Sequence, residues 1–211
     1  MLASVRYSPR QVLLLCCGCV VLGVGVAMLL TADLGSDGYS TLVNGIAIRT
    51  GITFWVANLL VGVTFVALGA ARHVRPGLGT VVQVVLVGVT VSVLLDLLDT
   101  PEGLVPRLVL LAAAFPVLAL GIVVYLGSHT GAGPAEAAAL AWDPPLAFKW
   151  SYSAVQGGGA LAGWLLGATI GLGTLAVILL LGPAVDLAGR LLRLDVHQGS
   201  VAVAAESEPT D

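Results

Sequence analysis

Gly77-Leu78-Gly79-Thr80 and Gly171-Leu172-Gly173-Thr174 spell the same four letters, "GLGT", 94 positions apart. One long apolar run precedes each copy and another follows it. Working outward, both halves of the chain repeat one order of parts: a long run, a short helix-like segment, and two more long runs. The long stretches are approximately 12–32, 54–71, 79–98, 105–126, 150–169 and 172–194; the short ones are 36–48 and 133–142. A helix needs about 20 residues to cross a hydrocarbon core of about 30 Å, whereas 11 residues reach only about 16 Å. The pattern predicts an all-α integral membrane protein with six transmembrane helices plus two short re-entrant or interfacial helices. Further residues pair between the halves once small gaps are allowed: Gly35 with Gly131, Asn58 with Gln156, Gly69 with Gly167, Gly88 with Gly182, and Ser92 with Asp186. An odd number of crossings per unit turns the second copy over, so the expectation is two inverted structural repeats. The organisation is then a cytoplasmic N-terminus (1–11), membrane repeat 1 (12–98), membrane repeat 2 (105–194) and a polar, acidic, disordered cytoplasmic tail (195–211).

Composition points the same way. Of 211 residues, 58% are hydrophobic and 10% charged, with a mean hydropathy of +1.02. A soluble domain carries about 25% charge, so the partner of this surface is the lipid bilayer. The net charge is −3 without a basic cluster, which argues against nucleic acid. Cys16, Cys17 and Cys19 share one apolar run, a spacing that suits neither a disulfide framework nor a zinc site, and they read as small packing residues. The run 12–32 exceeds the roughly 7–15 residues of a signal-peptide core and reads as a retained first span. Lys and Arg set the orientation. With both short helices re-entrant, Arg6, Arg10, Arg72, Arg75, Lys149, Arg190 and Arg193 face the cytoplasm, and Arg49 and Arg107 face out. The expected location is the plasma (inner) membrane, multi-pass, with both termini cytoplasmic. Tyr7, Phe54, Trp55, Tyr125, Trp150 and Tyr152 lie near run ends, where aromatic rings favour the headgroup region.

The chain resembles the YczE/YitT-like family of bacterial multi-spanning membrane proteins. The carriers are ADLGSDGYSTL (Ala32–Leu42), RPGLGT (Arg75–Thr80), GAGPAEAAAL (Gly131–Leu140) and GWLLGATIGLGT (Gly163–Thr174) running into LLGPAVD (Leu180–Asp186). The short-helix motif of that family reads roughly Gly-x-Gly-Pro-aromatic-Asp. The second copy keeps Gly131, Gly133 and Pro134 with Glu136 in the acidic place, whereas the first has Ser40 there. Gln156 and Ser92 stand where the resemblance implies a glutamate and an aspartate. The family likeness implies fold and location, with the biochemical role undefined.

Candidate site residues follow from polarity placed where lipid or protein must surround it. Ser36 and Asp37 suit a helix N-cap; Gly133-Pro134 and Glu136 suit a helix start. A carboxylate at depth costs about 2.5–3.5 kcal/mol, so Asp186 should face a partner, either a cation or proton site or simply Arg190 four residues on. Asp37, Ser40, Asn58, Gly131, Gly133, Glu136, Gln156 and Asp186 are the candidate substrate-binding residues. Gly159, Gly163, Gly167 and Gly171 recur every fourth residue and form a smooth helix face, either a seam inside the monomer or a surface for a homo-oligomer or a membrane partner protein. Gln83 and Thr90 read as interior polarity, and His129 as solvated or titrating. Zincin, Walker and nucleophile-elbow motifs are missing from the sequence, so no enzyme activity, catalytic residue, cofactor or metal site is expected. The leading expectation is a small-solute transporter or exporter whose site lies where the two short helices start. Those starts favour an anionic group on the substrate unless Asp37 and Glu136 cancel the field. The alternative is a non-transporting protein that stabilises or regulates a partner through the glycine-lined helix.

Overall fold

A computed structural model describes residues 7–72, 74, 76–142, 145 and 148–194, without the side chains of 140, 148, 149 and 186. The predicted tail 195–211, part of the predicted N-terminus, Arg6, His73, Arg75 and the side chain of Asp186 therefore lie outside the described residues. The described chain is all helical. The elements are α1 (Pro9–Ala32), α2 (Gly38–Thr50), α3 (Phe54–Ala71), α4 (Leu78–Leu97), α5 (Leu104–Leu126), α6 (Pro134–Leu140), α7 (Phe148–Leu165) and α8 (Leu172–Leu192). Five of them, α1, α3, α4, α5 and α8, are long and apolar enough to cross a membrane.

Local chemistry sets the boundaries. Ser8 and Gln11 form a capping box before Pro9 at the start of α1. The Asp37 side chain accepts a hydrogen bond from Ser40 N (2.9 Å) and opens α2; Gly51, with φ 75°, closes it. α7 ends earlier than the apolar run 150–169 suggests. Gly167 takes φ 104°, and Ala168 N bonds Gly163 O at 3.0 Å while Gly167 N bonds Trp164 O at 2.9 Å. This is a Schellman-type stop written in glycine, which hydropathy does not register. α7 keeps 18 residues, but Lys149, Ser151, Tyr152, Ser153, Gln156 and its glycines lower its hydropathy, and it is not among the five membrane-long apolar helices. α8 loosens into a π turn over Val177–Leu181, directly before Pro183, whose missing N–H interrupts the regular ladder.

Two surfaces separate cleanly on the long helices. On α4, Val81, Val85, Val89 and Val93 are exposed at every fourth position, while Thr80, Gln83, Val84, Val87, Gly88 and Val91 are buried. An apolar stripe of this kind, repeated by Leu60, Val63 and Leu68 on α3 and Leu175, Leu179 and Leu187 on α8, is unfavourable in water and at ease in hydrocarbon. The chain is a multi-pass membrane protein by this measure. Inside, α1 and α5 form the central pair, brought close by glycine. A Cβ on Gly25 would stand 2.8 Å from Leu118 Cγ, and one on Gly121 would stand 2.5 Å from Leu22 N. Such close approach is how helices gain packing where no hydrophobic drive exists between them. Phe54 (8% exposed) and Tyr125 (0%) pack into this core from the ends of α3 and α5.

Around the central pair the principal helix contacts come in matched couples. α1 packs on α4 and α5 on α8; α2 on α7 and α6 on α3; α2 on α3 and α6 on α7; α3 on α4 and α7 on α8. Exchanging the first four helices with the last four leaves this pattern unchanged. The connectors agree in detail: Asp33 and His129 both adopt positive φ (47° and 53°), followed two residues on by Gly35 and Gly131 (97° and 125°). Each "GLGT" then docks on the connector of the opposite half. Gly79 N donates to Thr130 O and Gly173 N donates to Leu34 O, both at 2.8 Å. A side chain on Gly35 would strike Gly171 N at 2.6 Å, and one on Gly131 would strike Gly77 Cα at 2.9 Å, so both positions need glycine for space as well as for φ. At the end of α1, Arg107 reaches across from α5 to bond Ala32 O (2.7 Å), Asp33 O and the Asp33 carboxylate (2.9 Å).

Candidate functional site

The connectors deliver the first residues of α2 and α6 into the interior. Asp37 (7% exposed) is the N-cap of α2, and Glu136 (5%) lies in the first turn of α6. They are close enough for their charges to interact. Asp37 Oδ2 is held by Ser40 N, and the Ser40 side chain lies beside the carboxyl. Its Oδ1 has no hydrogen-bond partner, and neither has Glu136 Oε2. The Tyr125 hydroxyl accepts a hydrogen bond from Gly133 N at 3.3 Å and lies beside the Glu136 carboxyl. Gln156 Oε1 accepts from Tyr39 N at 3.1 Å, and the Gln156 side chain bonds the Tyr152 hydroxyl. Tyr39 and Tyr152 both lie within electrostatic reach of the two carboxyls. Among the described residues the one ion pair is Arg107–Asp33, at the end of α1. Among the described side chains, no cation pairs with either buried acid.

Five candidate residues therefore come together: Asp37, Ser40, Gly133, Glu136 and Gln156. Three others are placed differently. Asn58 is buried, but its amide is spent on the Val84 carbonyl of α4 at 2.7 Å. Gly131 belongs to the connector that receives the first "GLGT". Asp186 lies on α8, its side chain outside the described residues. The α7 glycines divide. A Cβ on Gly159 would meet Gly38 O at 2.6 Å and one on Gly163 would meet Leu42 N at 2.7 Å, so both lie against α2 within the molecule; Gly171 approaches Leu34 O (2.7 Å), and Gly167 is exposed.

Four further residues join this cluster: Tyr39 from the start of α2, Tyr125 and Tyr152, which the sequence marks only as aromatics near run ends, and Gln83, which it marks only as interior polarity. Gln83 is 9% exposed and its amide makes no hydrogen bond among the described residues. A Cβ added at Gly133 would stand 2.6 Å from Glu136 Oε2 and 2.8 Å from Gln83 Nε2. Gly133 thus leaves a small space that the carboxyl and the carboxamide share. Seven residues separate Gln83 from Thr90 on one face of α4, which marks Gln83 as interior but not as a neighbour of α6.

A cleft of about 430 Å³ approaches the cluster from one side, lined by α2, α3, α6 and α7. Phe65 in its wall meets Tyr39 edge to face (centroids 5.5 Å apart), and Arg72 stacks on Trp142 at its rim, 4.0 Å from the ring centroid.

The comparisons with known proteins agree on kinship and are silent on activity. An uncharacterized protein of Haemophilus influenzae is 25% identical over 185 residues, covering 87% of this chain and 84% of its own length. No solved structure matches. The YczE/YitT-like motifs remain a resemblance, since the model that matches is another one: it spans residues 9–190 and describes a family of unknown function. From connector to connector the whole bundle lies inside that match, and the chain belongs to the family of unknown function DUF6198.

Proposed function

We propose that this protein is a small-solute transporter built as two inverted repeats, α1–α4 and α5–α8, with its substrate site between the starts of α2 and α6. In this reading α7 crosses as a sixth span, and α2 and α6 dip in without crossing. The matched helix contacts and the reciprocal docking of the two "GLGT" segments support the duplication. The observation that carries the function is the pair of buried acids, one from each half, each with a bare oxygen and no ion pair among the described residues. Keeping such groups in a membrane protein is costly, and intramembrane carboxyls by default mark a path for substrate or protons. Alternating access by rocking one repeat against the other would open the pair to each side in turn. No enzymatic step is proposed.

Single cysteines at positions 136 and 156, in a background lacking the three natural cysteines, should react with a membrane-impermeant thiol reagent. Metabolite profiling of a deletion strain should show a changed internal level of at least one solute. Complete protection of both cysteines together with a flat profile would sink the transport reading. The rival, a partner-stabilising role through α7, needs its glycine face free, and Gly159 and Gly163 are instead covered by α2.

A further inference from the structure

Resting on the transport site described above, we propose that the ligand of that site is a small monovalent cation, bound by Asp37, Glu136 and Gln83 in exchange for a proton. Among the described side chains, the groups that face the pair from neighbouring elements are uncharged or weak acids: Cys19 from α1, Tyr39 from α2, Gln83 from α4, Tyr125 from α5, Tyr152 and Gln156 from α7. Two neighbouring carboxyls in such surroundings cannot both carry charge without a proton or a cation to offset it. Three backbone donors at the helix starts are already engaged: Ser40 N bonds Asp37, Gly133 N bonds Tyr125, and Tyr39 N bonds Gln156. An incoming anion would meet two acids, whose charge repels it.

Gln83 is the independent pointer to a ligand. Its carboxamide is nine-tenths buried, unpaired, and abuts the space at Gly133 where Glu136 Oε2 also stands. Asp37 Oδ1 and Glu136 Oε2 are two buried, ionisable oxygens without partners, and a half-turn of the Gln83 carboxamide, whose Nε2 stands at the Gly133 space, would add its oxygen as a third, the set a hard monovalent ion would use. A higher charge is less suited, because the described residues hold no group of three or more His, Cys, Asp and Glu able to bind a metal. The exchange balances: a carboxylic acid O–H breaks, the proton leaves to water, and the cation takes its place against the carboxylate, so the charge of the site is unchanged. Tyr39 lies within electrostatic reach of both acids and meets Phe65 of the cleft wall, and the cation's route is taken to run from that side.

The test uses the purified full-length chain in lipid nanodiscs, weakly buffered, with a pH-indicator dye. Sodium chloride, potassium chloride and methylammonium chloride are added separately, with N-methylglucamine chloride as a bulky control. At least one small cation should release, saturably, about one proton per chain, and the control should release none; which arm responds separates alkali ion from ammonium. Release should vanish in Glu136→Gln and in Asp37→Asn and persist in Glu102→Gln, an exposed acid remote from the site. Gln83→Leu should raise the half-saturating concentration about tenfold. No release from the wild-type chain by any of the three cations overturns the inference, whatever the variants do. Undiminished release in both acid variants, or an unchanged half-saturation in Gln83→Leu, overturns it as well. Cation-linked release without solute flux would retain this site and remove the transport reading. Flux of an anionic or neutral solute with no such release would do the reverse.

Discussion

Gly163→Ala should weaken this protein by an amount that its neighbour Gly158→Ala does not. Both positions lie in α7, and both changes add one methyl group. At Gly163 that carbon would stand 2.5 Å from the Thr41 carbonyl carbon and 2.7 Å from Leu42 N, backbone atoms of α2 that cannot swing aside. Ordinary carbon contacts lie at about 3.5–4.0 Å, so α2 and α7 must part by roughly 1 Å along this seam. Overpacking of that kind costs about 1–3 kcal/mol. At Gly158 there is nothing within 4 Å, and alanine in a helix interior is favoured over glycine by about 0.5–1 kcal/mol. The two variants should therefore differ by about 1.5–4 kcal/mol with opposite signs. Reversible unfolding of each in mixed micelles, read by circular dichroism, measures the difference. Equal unfolding midpoints would show that α2 does not cover the α7 glycine face, and the enclosed site behind it would have to be redrawn.

The two copies of "GLGT" should respond unequally to one substitution. Thr80 Oγ1 donates to Ala132 O at 2.7 Å and accepts from Gly77 N at 3.1 Å, so Thr80→Val strands two backbone groups at a cost of about 1–3 kcal/mol. Thr174 Oγ1 is buried without a partner, and Thr174→Val should be neutral or stabilising in the same unfolding assay; equal losses would contradict this asymmetry. Tyr125→Phe keeps the ring in the core but removes the acceptor of Gly133 N, for an expected loss of about 1–3 kcal/mol. An unchanged unfolding midpoint would mean that the hydroxyl does not tie α5 to α6. Reporter fusions after residues 50 and 148 should report outside and cytoplasm respectively, the sides on which α1 and α5 end; either one on the opposite face refutes the non-crossing short helices.

Much of the architecture could be read along the chain because it depends on local quantities. Hydropathy and length mark α1, α3, α4, α5 and α8, since a segment in lipid must satisfy its own backbone and present apolar side chains over its whole length. Asp37 as a cap and Pro134 at a helix start are local as well. α7 shows the limit of such reading: its apolar run continues to 169, but the helix stops at Leu165 because Gly167 turns left-handed. In a stretch with glycine at every fourth position, nothing local distinguishes the glycine that ends a helix from those that pack one.

The sequence by itself determined where the apolar runs lie and that segments 36–48 and 133–142 are too short to cross a bilayer, and its repeated letters suggested two like parts. Tertiary structure alone decided that each "GLGT" docks on the connector of the other half, and that the Tyr125 ring is fully buried beside the start of α6. It also decided that Gln83, 53 positions before Glu136 in the chain, shares the space at Gly133 with it. Composition and period report what a segment does with its own solvent. Which polar groups meet depends on how backbones from distant segments approach, and in this protein glycine contacts between helices set that approach, with hydrogen bonds rather than hydrophobic drive choosing the neighbours.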